Sequence, residues 1–314
     1  MSDFLQWTVA AHESNVRLDT FLATRLAPLS RRAIRTLIAR RQILVNGRTS
    51  KKGLRVRTGD SVIVPAPPPL YEHAALPIDV VYADTAIVVL NKPAGIPSVA
   101  LRYDETDTVA NFLAACFPET ANAGPHPLES GLVHRLDTAT SGLLVAARTP
   151  TAYAFLRHHF HIQAVEKQYL ALVKGRCTVK GQMVFRLAPA GSRRQRMHLV
   201  TTGEGQEASS IYNLVEVLPH HTLIQVTITT GVRHQIRAHL AGLGHPIVGD
   251  TVYGNGEDGS RLCLHAHALG FVHPSTGQQL RFASPLPQDF LSLLESRRHP
   301  HNPHEKGQKG PEDR

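Results

Sequence analysis

Gly131-Leu132-Val133-His134-Arg135-Leu136-Asp137-Thr138-Ala139-Thr140-Ser141-Gly142-Leu143-Leu144 is the densest stretch of this 314-residue chain. Apolar residues at both ends enclose a polar cluster. A charged Asp137 between apolar strands must find partners or bear a heavy desolvation cost. The residues allow two readings. Asp137 can cap a turn, with Thr138, Thr140 and Ser141 bonding local backbone, or it can be a reactive carboxylate. Composition alone favours the turn.

Outward from this stretch, from about residue 76 to 290, short apolar strands alternate with turn signals. Residues 80–82 and 87–90 predict strands on either side of Asp84, and Asn91-Lys92-Pro93-Ala94-Gly95 predicts a turn. Helices are expected over 108–117 and 151–160, and strands over 143–147, 169–173 and 223–227. Strand runs with interspersed helices predict an α+β domain on a large, mostly antiparallel mixed sheet. No internal repeat is visible.

Upstream, the charge is concentrated. Residues 16–60 hold twelve Lys and Arg against Asp19 and Asp60, a net of +10 where the whole chain carries +9. Leu18, Phe21, Leu22 and Leu26 fall on one helical face. Beyond Pro28, Ser30 is an N-cap candidate, and Ile34, Leu37 and Ile38 form the next stripe. Residues 43–45 predict a strand, Asn46-Gly47 a hairpin turn and 62–64 another strand. Arg31 and Arg32 sit in the first turn of the second helix, where the dipole disfavours cations unless a phosphate joins them. With Arg35, Arg40, Lys51 and Lys52 they form a candidate RNA-binding surface. Pro65 and Pro67 to Pro69 predict a stiff linker.

Several function classes drop out. No run approaches the ~20 apolar residues of a membrane span. No secretory leader is visible, so a cytoplasmic location is expected. Cys116, Cys177 and Cys263 are odd in number and far apart, which predicts buried free thiols. His134, Asp137 and Ser141 are the residue types of a hydrolase triad, but there is no G-x-S-x-G elbow and they crowd one turn. The histidine runs at 158–161, 220–221 and 299–304 have no cysteine partners or zinc spacing, so no metal is expected. Phosphate-binding glycine motifs are absent, and no nucleotide cofactor is expected.

Two sets of motifs carry resemblances. Arg17-Leu18-Asp19, Ser30-Arg31-Arg32, Val45-Asn46-Gly47 and Gly59-Asp60 together resemble the alpha-L (S4-like) RNA-binding module of a ribosomal small-subunit protein and many RNA-modifying enzymes. His134-Arg135-Leu136-Asp137 with Thr140-Ser141-Gly142 resembles the signature of the RluA-type pseudouridine synthase family. Asn91 to Gly95, Lys167-Gln168-Tyr169, Gly231 to His239, Gly244-His245-Pro246 and Gly249-Asp250 resemble further blocks of that family in order and spacing. Leu264-His265-Ala266 and His273-Pro274 fit near the end.

The resemblance implies a cofactor-free isomerase that converts uridine to pseudouridine in structured RNA. Asp137 matches the family's nucleophile. A carboxylate there can attack the anomeric carbon or the uracil ring, or assist elimination through a glycal. Arg237 matches the arginine that pairs with it, and Tyr169 the active-site tyrosine that stacks on the flipped base and can take a proton. Arg135 matches the residue filling the space a flipped uridine vacates, and His134, Asn91 and Lys92 match supporting positions. One departure stands out: the family has Gly-Arg-Ser/Thr before His-Gln, and this chain has Gly231-Val232-Arg233.

The expected organisation is an alpha-L domain at 14–65, a linker at 66–75, a catalytic domain at 76–295 and a disordered basic tail at 296–314. The partner is RNA, and the resemblance to the alpha-L module points to large-subunit ribosomal RNA and rRNA processing; a monomer is expected, with nothing in the residues to set the oligomeric state. Transfer RNA as substrate, or an inactive RNA-binding ribosome-assembly factor, are the alternative readings.

Overall fold

The computed structural model describes residues 4–26, 31–65, 72–102, 105–177, 179–191, 196–200, 203–254 and 261–299. Contacts divide the chain into two compact units. The first comprises 1–89, 96–135 and 145–157, and the second 90–95, 136–144 and 158–314. The chain first enters the second unit at Leu90, within a strand, and leaves it twice before residue 158.

The first unit begins with β1 (Phe4–Thr8), α1 (Leu18–Ala23), α2 (Arg31–Ala39), β2 (Leu44–Val45), β3 (Arg48–Thr49) and β4 (Ser61–Pro65). Their sheet has the order β1-β4-β2-β3, and every pair is antiparallel. β1 lies ahead of the expected start at residue 14, because its register with β4 takes in residues 4–8. Asn46 and Gly47 both have positive φ, 51° and 74°, the primed turn that suits the twist of a two-residue hairpin. Leu18, Phe21, Leu22, Ile34 and Ile38 pack on Ile43, Val56, Val62 and Val64 as one buried cluster. The expected cap Ser30 lies outside the described residues. Farther on come β5 (Asp79–Ala83), β6 (Ile87–Lys92) and α3 (Val109–Cys116), the last capped by Thr108 in a reciprocal pair with Asn111.

The second unit takes the last residues of β6 and the start of β7 (Ser141–Ala147). The chain then forms α4 (Pro150–His161), whose last turn belongs to this unit, and β8 (Glu166–Lys174), β9 (Gly181–Ala190), β10 (Arg196–Val200), β11 (Gln206–Val217) and β12 (His221–Ile228). It ends with α5 (Gln235–Gly242), β13 (Leu264–Val272), β14 (Gln279–Ala283) and α6 (Gln288–Arg298). Within the unit the strand order is β10-β9-β11-β12-β8-β13, all antiparallel, with β14 also antiparallel to β13. Ser141 and Gly142 of β7 pair with His265 and Ala266 of β13 in parallel. This is the mostly antiparallel mixed sheet, in an α+β fold, that the strand pattern predicts.

Two expectations are corrected. Cys116 is exposed at the end of α3, while Cys177 and Cys263 are buried. Residues 296–298 are not tail but the last turn of α6, where Arg298 forks onto both oxygens of Glu216 at 2.8 and 2.6 Å. Residues 300–314 lie outside the described residues.

Gly142 shows why the opening of β7 needs glycine. Its φ is +117°, and a Cβ there would stand 2.3 Å from the Ala266 carbonyl oxygen. Backbone cannot yield as a flexible side chain would. Gly142→Ala is therefore expected to lower unfolding free energy by about 3 kcal/mol. A denaturant midpoint that moves at unchanged slope would report this; an unmoved midpoint would contradict it.

Candidate active site

Asp137 sits in a turn immediately ahead of β7, closed by Thr140 N–H on the Asp137 carbonyl at 3.0 Å. The Asn91–Gly95 turn braces it: Gly95 N–H donates to the Thr138 carbonyl at 2.8 Å. Lys92, wholly buried, donates its ammonium to the same carbonyl at 3.1 Å and to that of Pro93 at 2.9 Å. The capping role of Asp137 is thus carried by its backbone, and its carboxylate is left for other work.

That carboxylate meets Arg237 of α5. Arg237 Nη1 donates to Asp137 Oδ2 at 2.9 Å. The rest of the guanidinium is held by Asp250, with Nε on Oδ2 at 2.8 Å and Nη2 on Oδ1 at 2.9 Å. Asp250 also accepts the backbone N–H groups of Val252 and Tyr253 at 2.8 and 2.9 Å. Arg237 and Asp250 are buried, whereas the Asp137 side chain keeps 27% exposure, enough for a substrate to reach it. The Tyr253 ring lies 5.4 Å from the guanidinium carbon.

Electrostatics follow from this geometry. Burial works against the Arg237 charge, but bonds and attraction from Asp250 and then Asp137 outweigh it and raise its pKa. Burial likewise opposes ionisation of Asp250, and Arg237 with the two backbone donors overcomes it, so its pKa falls below the ordinary value. Tyr169 of β8 is buried; burial first, and the Asp137 charge second, push its hydroxyl up, so the phenol stays neutral. Burial and then the Arg261 charge push Lys92 down to about 7, against the pull of Asp137.

The expected residues thus divide. Asp137 and Arg237 are in direct contact, and Tyr169 lies within reach of the Asp137 charge. His134 and Arg135 belong to the first unit. The His134 imidazole accepts the Val145 N–H at 3.1 Å, and Arg135 is exposed. Arg31, Arg40, Lys51 and Lys52 are exposed, while Arg35 reaches buried Asp19 at 2.9 Å, a carboxylate it shares with Arg17. The Arg32 side chain lies outside the described residues. At the departure from the family pattern, Val232 packs against the cluster of Leu187, Met197, Ala208 and Ala238, and Arg233 is exposed. The expectations place Asp250 and His234 in family-like blocks but give them no role, and they miss Tyr253. One signal could have found Asp250: a buried arginine facing only one carboxylate needs a second.

Two stability predictions follow. Asp250→Ala would strand a buried guanidinium, so unfolding free energy should fall by about 3–5 kcal/mol. Because its folded pKa is depressed, the contribution of Asp250 is complete above the ordinary carboxylate value near about 4 and disappears as pH falls through the lowered value. Lys92 has the opposite profile. Its folded value of about 7 lies below the ordinary ~10.4, so between them the unfolded chain binds more protons. Wild type should gain stability relative to Lys92→Met as pH rises across that interval. Urea unfolding of both proteins at a series of pH values checks this, and a flat difference would refute it.

Comparison with known proteins adds to this geometry. The model of a family described as RNA pseudouridylate synthase matches residues 86–242, and that of the S4 domain matches residues 16–62. The chain is 33% identical over 295 residues to a protein of Zymomonas mobilis named ribosomal large subunit pseudouridine synthase D, covering 88% of this chain and 92% of the relative. A Chloroflexus aurantiacus protein named as an uncharacterized RNA pseudouridine synthase is 39% identical over 285 residues, covering 88% of this chain and 89% of that one. Among solved structures, human RNA pseudouridylate synthase domain containing 1 superposes with a TM-score of 0.55 at 22% identity, over 74% of this chain and all of its own, a likeness of fold. The chain belongs to the RNA pseudouridine synthase family, isomerases of uridine in RNA, and carries an S4 RNA-binding domain ahead of its catalytic region.

Proposed function

We propose that this enzyme isomerises a uridine of large-subunit ribosomal RNA, as a monomer in the cytoplasm, with Asp137 as the nucleophile. The ribosomal substrate is supported by the S4 domain and by relatives named for that subunit. The observation that carries the nucleophile is the chain Asp137–Arg237–Asp250: one carboxylate accessible, one buried, and a guanidinium fixed between them.

The reaction breaks the bond from ribose C1′ to uracil N1, turns the base, joins C1′ to C5, and moves the C5 proton off the ring while N1 gains one. Asp137 supplies the carboxylate that attacks or assists at the first step. Arg237 keeps it ionised and aimed. Tyr169, a neutral phenol at rest, offers its ring to the flipped uracil, and its oxygen takes the C5 proton as its own proton passes on to the N1 that gains one. Arg135 fills the stack the uridine leaves, an exchange that offsets an unstacking cost of a few kcal/mol. Arg31, Arg32, Arg40, Lys51 and Lys52 bind phosphates, with Arg35 divided between RNA and Asp19.

Mapping pseudouridine in total RNA from cells lacking the protein tests this reading. One site in large-subunit RNA should be lost, returned by wild type and not by Asp137→Asn. Rescue by the Asn variant would overturn the nucleophile, and a lost site in transfer RNA would overturn the ribosomal substrate.

A further inference from the structure

Asp137 Oδ2 is approached twice. Arg237 Nη1 bonds it at 2.9 Å, and His234 Nε2 stands 3.8 Å away. Among the described residues no donor reaches Oδ1. Both groups therefore gather on one oxygen and leave the other open.

His234 is placed there against its own backbone preference. It has φ 54° and ψ 20°, the left-handed region, at the residue that starts α5. Its side chain does not cap that helix. A position needed only to begin a helix favours Ser, Asp, Asn or Gly, and a strained residue beside reactive groups points to a use for its side chain.

The imidazole is held from behind. Its Nδ1 lies 3.2 Å from the Tyr253 hydroxyl oxygen, which accepts the Met197 N–H at 2.7 Å. The two rings meet edge-on, 5.7 Å apart. With a lone pair of that oxygen taken by Met197, the O–H is free to donate to Nδ1. A neutral imidazole that accepts at Nδ1 carries its proton on Nε2, the nitrogen facing Asp137.

We propose that His234 is a positioning residue: when RNA binds, its neutral Nε2–H tautomer, set by Tyr253, closes the 3.8 Å gap to Oδ2 of Asp137 and holds that oxygen on the Arg237 side so that Oδ1 is the oxygen that reacts. This rests on Asp137 being the nucleophile. The charged and titratable groups around the ring are Asp137 before β7, Arg233 and Arg237 beside and within α5, and Asp250 and Tyr253 after it. Burial, first, lowers the imidazole pKa. Asp137 and Asp250 oppose this and the two arginines add to it, and the net lowering leaves the ring neutral at pH 7.

The test compares wild type, Asp137→Asn, His234→Asn and His234→Gly. Asn and Gly both accept left-handed backbone, so folding is kept. Asn can still offer an N–H and Gly cannot. With total RNA from cells lacking the protein as substrate, His234→Gly should lower the single-turnover rate about 100-fold, His234→Asn should recover part of it, and half-saturating RNA should be unchanged. Nitrogen NMR of the His234 ring, assigned by its absence from His234→Asn, should read a bare Nδ1 and a protonated Nε2. Its titration should move to lower pH in Asp137→Asn, where the carboxylate charge is gone. A protonated Nδ1, a titration indifferent to Asp137→Asn, or a wild-type rate in His234→Gly would overturn the proposal. If Asp137→Asn itself turns over like wild type, the nucleophile reading falls and the positioning role with it. If Asp137→Asn is inactive while His234→Gly is not impaired, the positioning role alone falls.

Discussion

A buried guanidinium shared by two carboxylates is the constraint on which the rest of this site depends. Arg237 lies in α5, and its charge would be strongly destabilising there if unpaired. Asp250 takes two of its N–H groups and is itself satisfied by two backbone donors. The arginine is therefore neutralised without Asp137. That matters for the chemistry proposed, because a carboxylate that forms a covalent bond loses its charge. If Asp137 were the sole counterion, each turnover would strand a buried cation. With Asp250 in place, Asp137 can change charge while Arg237 stays where it is.

The approach to α5 is built for the same end. The left-handed backbone at His234 costs about 1–2 kcal/mol in a residue with a Cβ. Buried Gln235 offsets it. Its Oε1 accepts Thr230 Oγ1 and the Val232 N–H, and its Nε2 donates to the Ser209 carbonyl and Ser210 Oγ. Four bonds at about 1 kcal/mol each exceed the strain. Lys167, two residues before Tyr169 on β8, donates to the Thr229 and Thr230 carbonyls and closes the other end of the loop. The strand bearing the tyrosine is thus tied to the loop that leads into the helix bearing the arginine.

Much of this was legible in the residues. Asp137, Tyr169 and Arg237 lie in distinctive blocks, and the strand alternation indicated the mixed sheet. What escaped is what depends on three dimensions. The partner of Asp250 is thirteen residues away through a turn, and nothing in its own neighbourhood marks it as a counterion. His234 lies in a family-like block, but nothing in the residues gives it a role until its backbone angles are known. Arg35 looked like its neighbours in a one-signed run, yet it faces the buried carboxylate of Asp19. Cys116 sits in an apolar stretch, and only the position of its helix end exposes it. The lack of apolar residues from Ser296 onward predicts a tail there, but ion pairs from Arg298 extend α6 without them.

The coupling between Asp137 and Tyr169 gives the proposed reaction an order. Two influences keep the tyrosine hydroxyl protonated: burial, which belongs to the fold, and the charge on Asp137, which belongs to the moment. While the carboxylate is ionised, a second anion beside it is disfavoured, and the phenol cannot compete for a proton held by carbon. Once Asp137 has spent its charge in a bond to the substrate, that opposition ends, while burial, the larger influence, still holds the phenol proton until it passes on. An early base removal would have nothing to act on, because the C5 proton becomes labile only after the new carbon–carbon bond has formed. A nucleophile whose charge adds to burial in holding the phenol proton, and whose reaction lifts that addition, favours the two steps in the sequence that the chemistry requires.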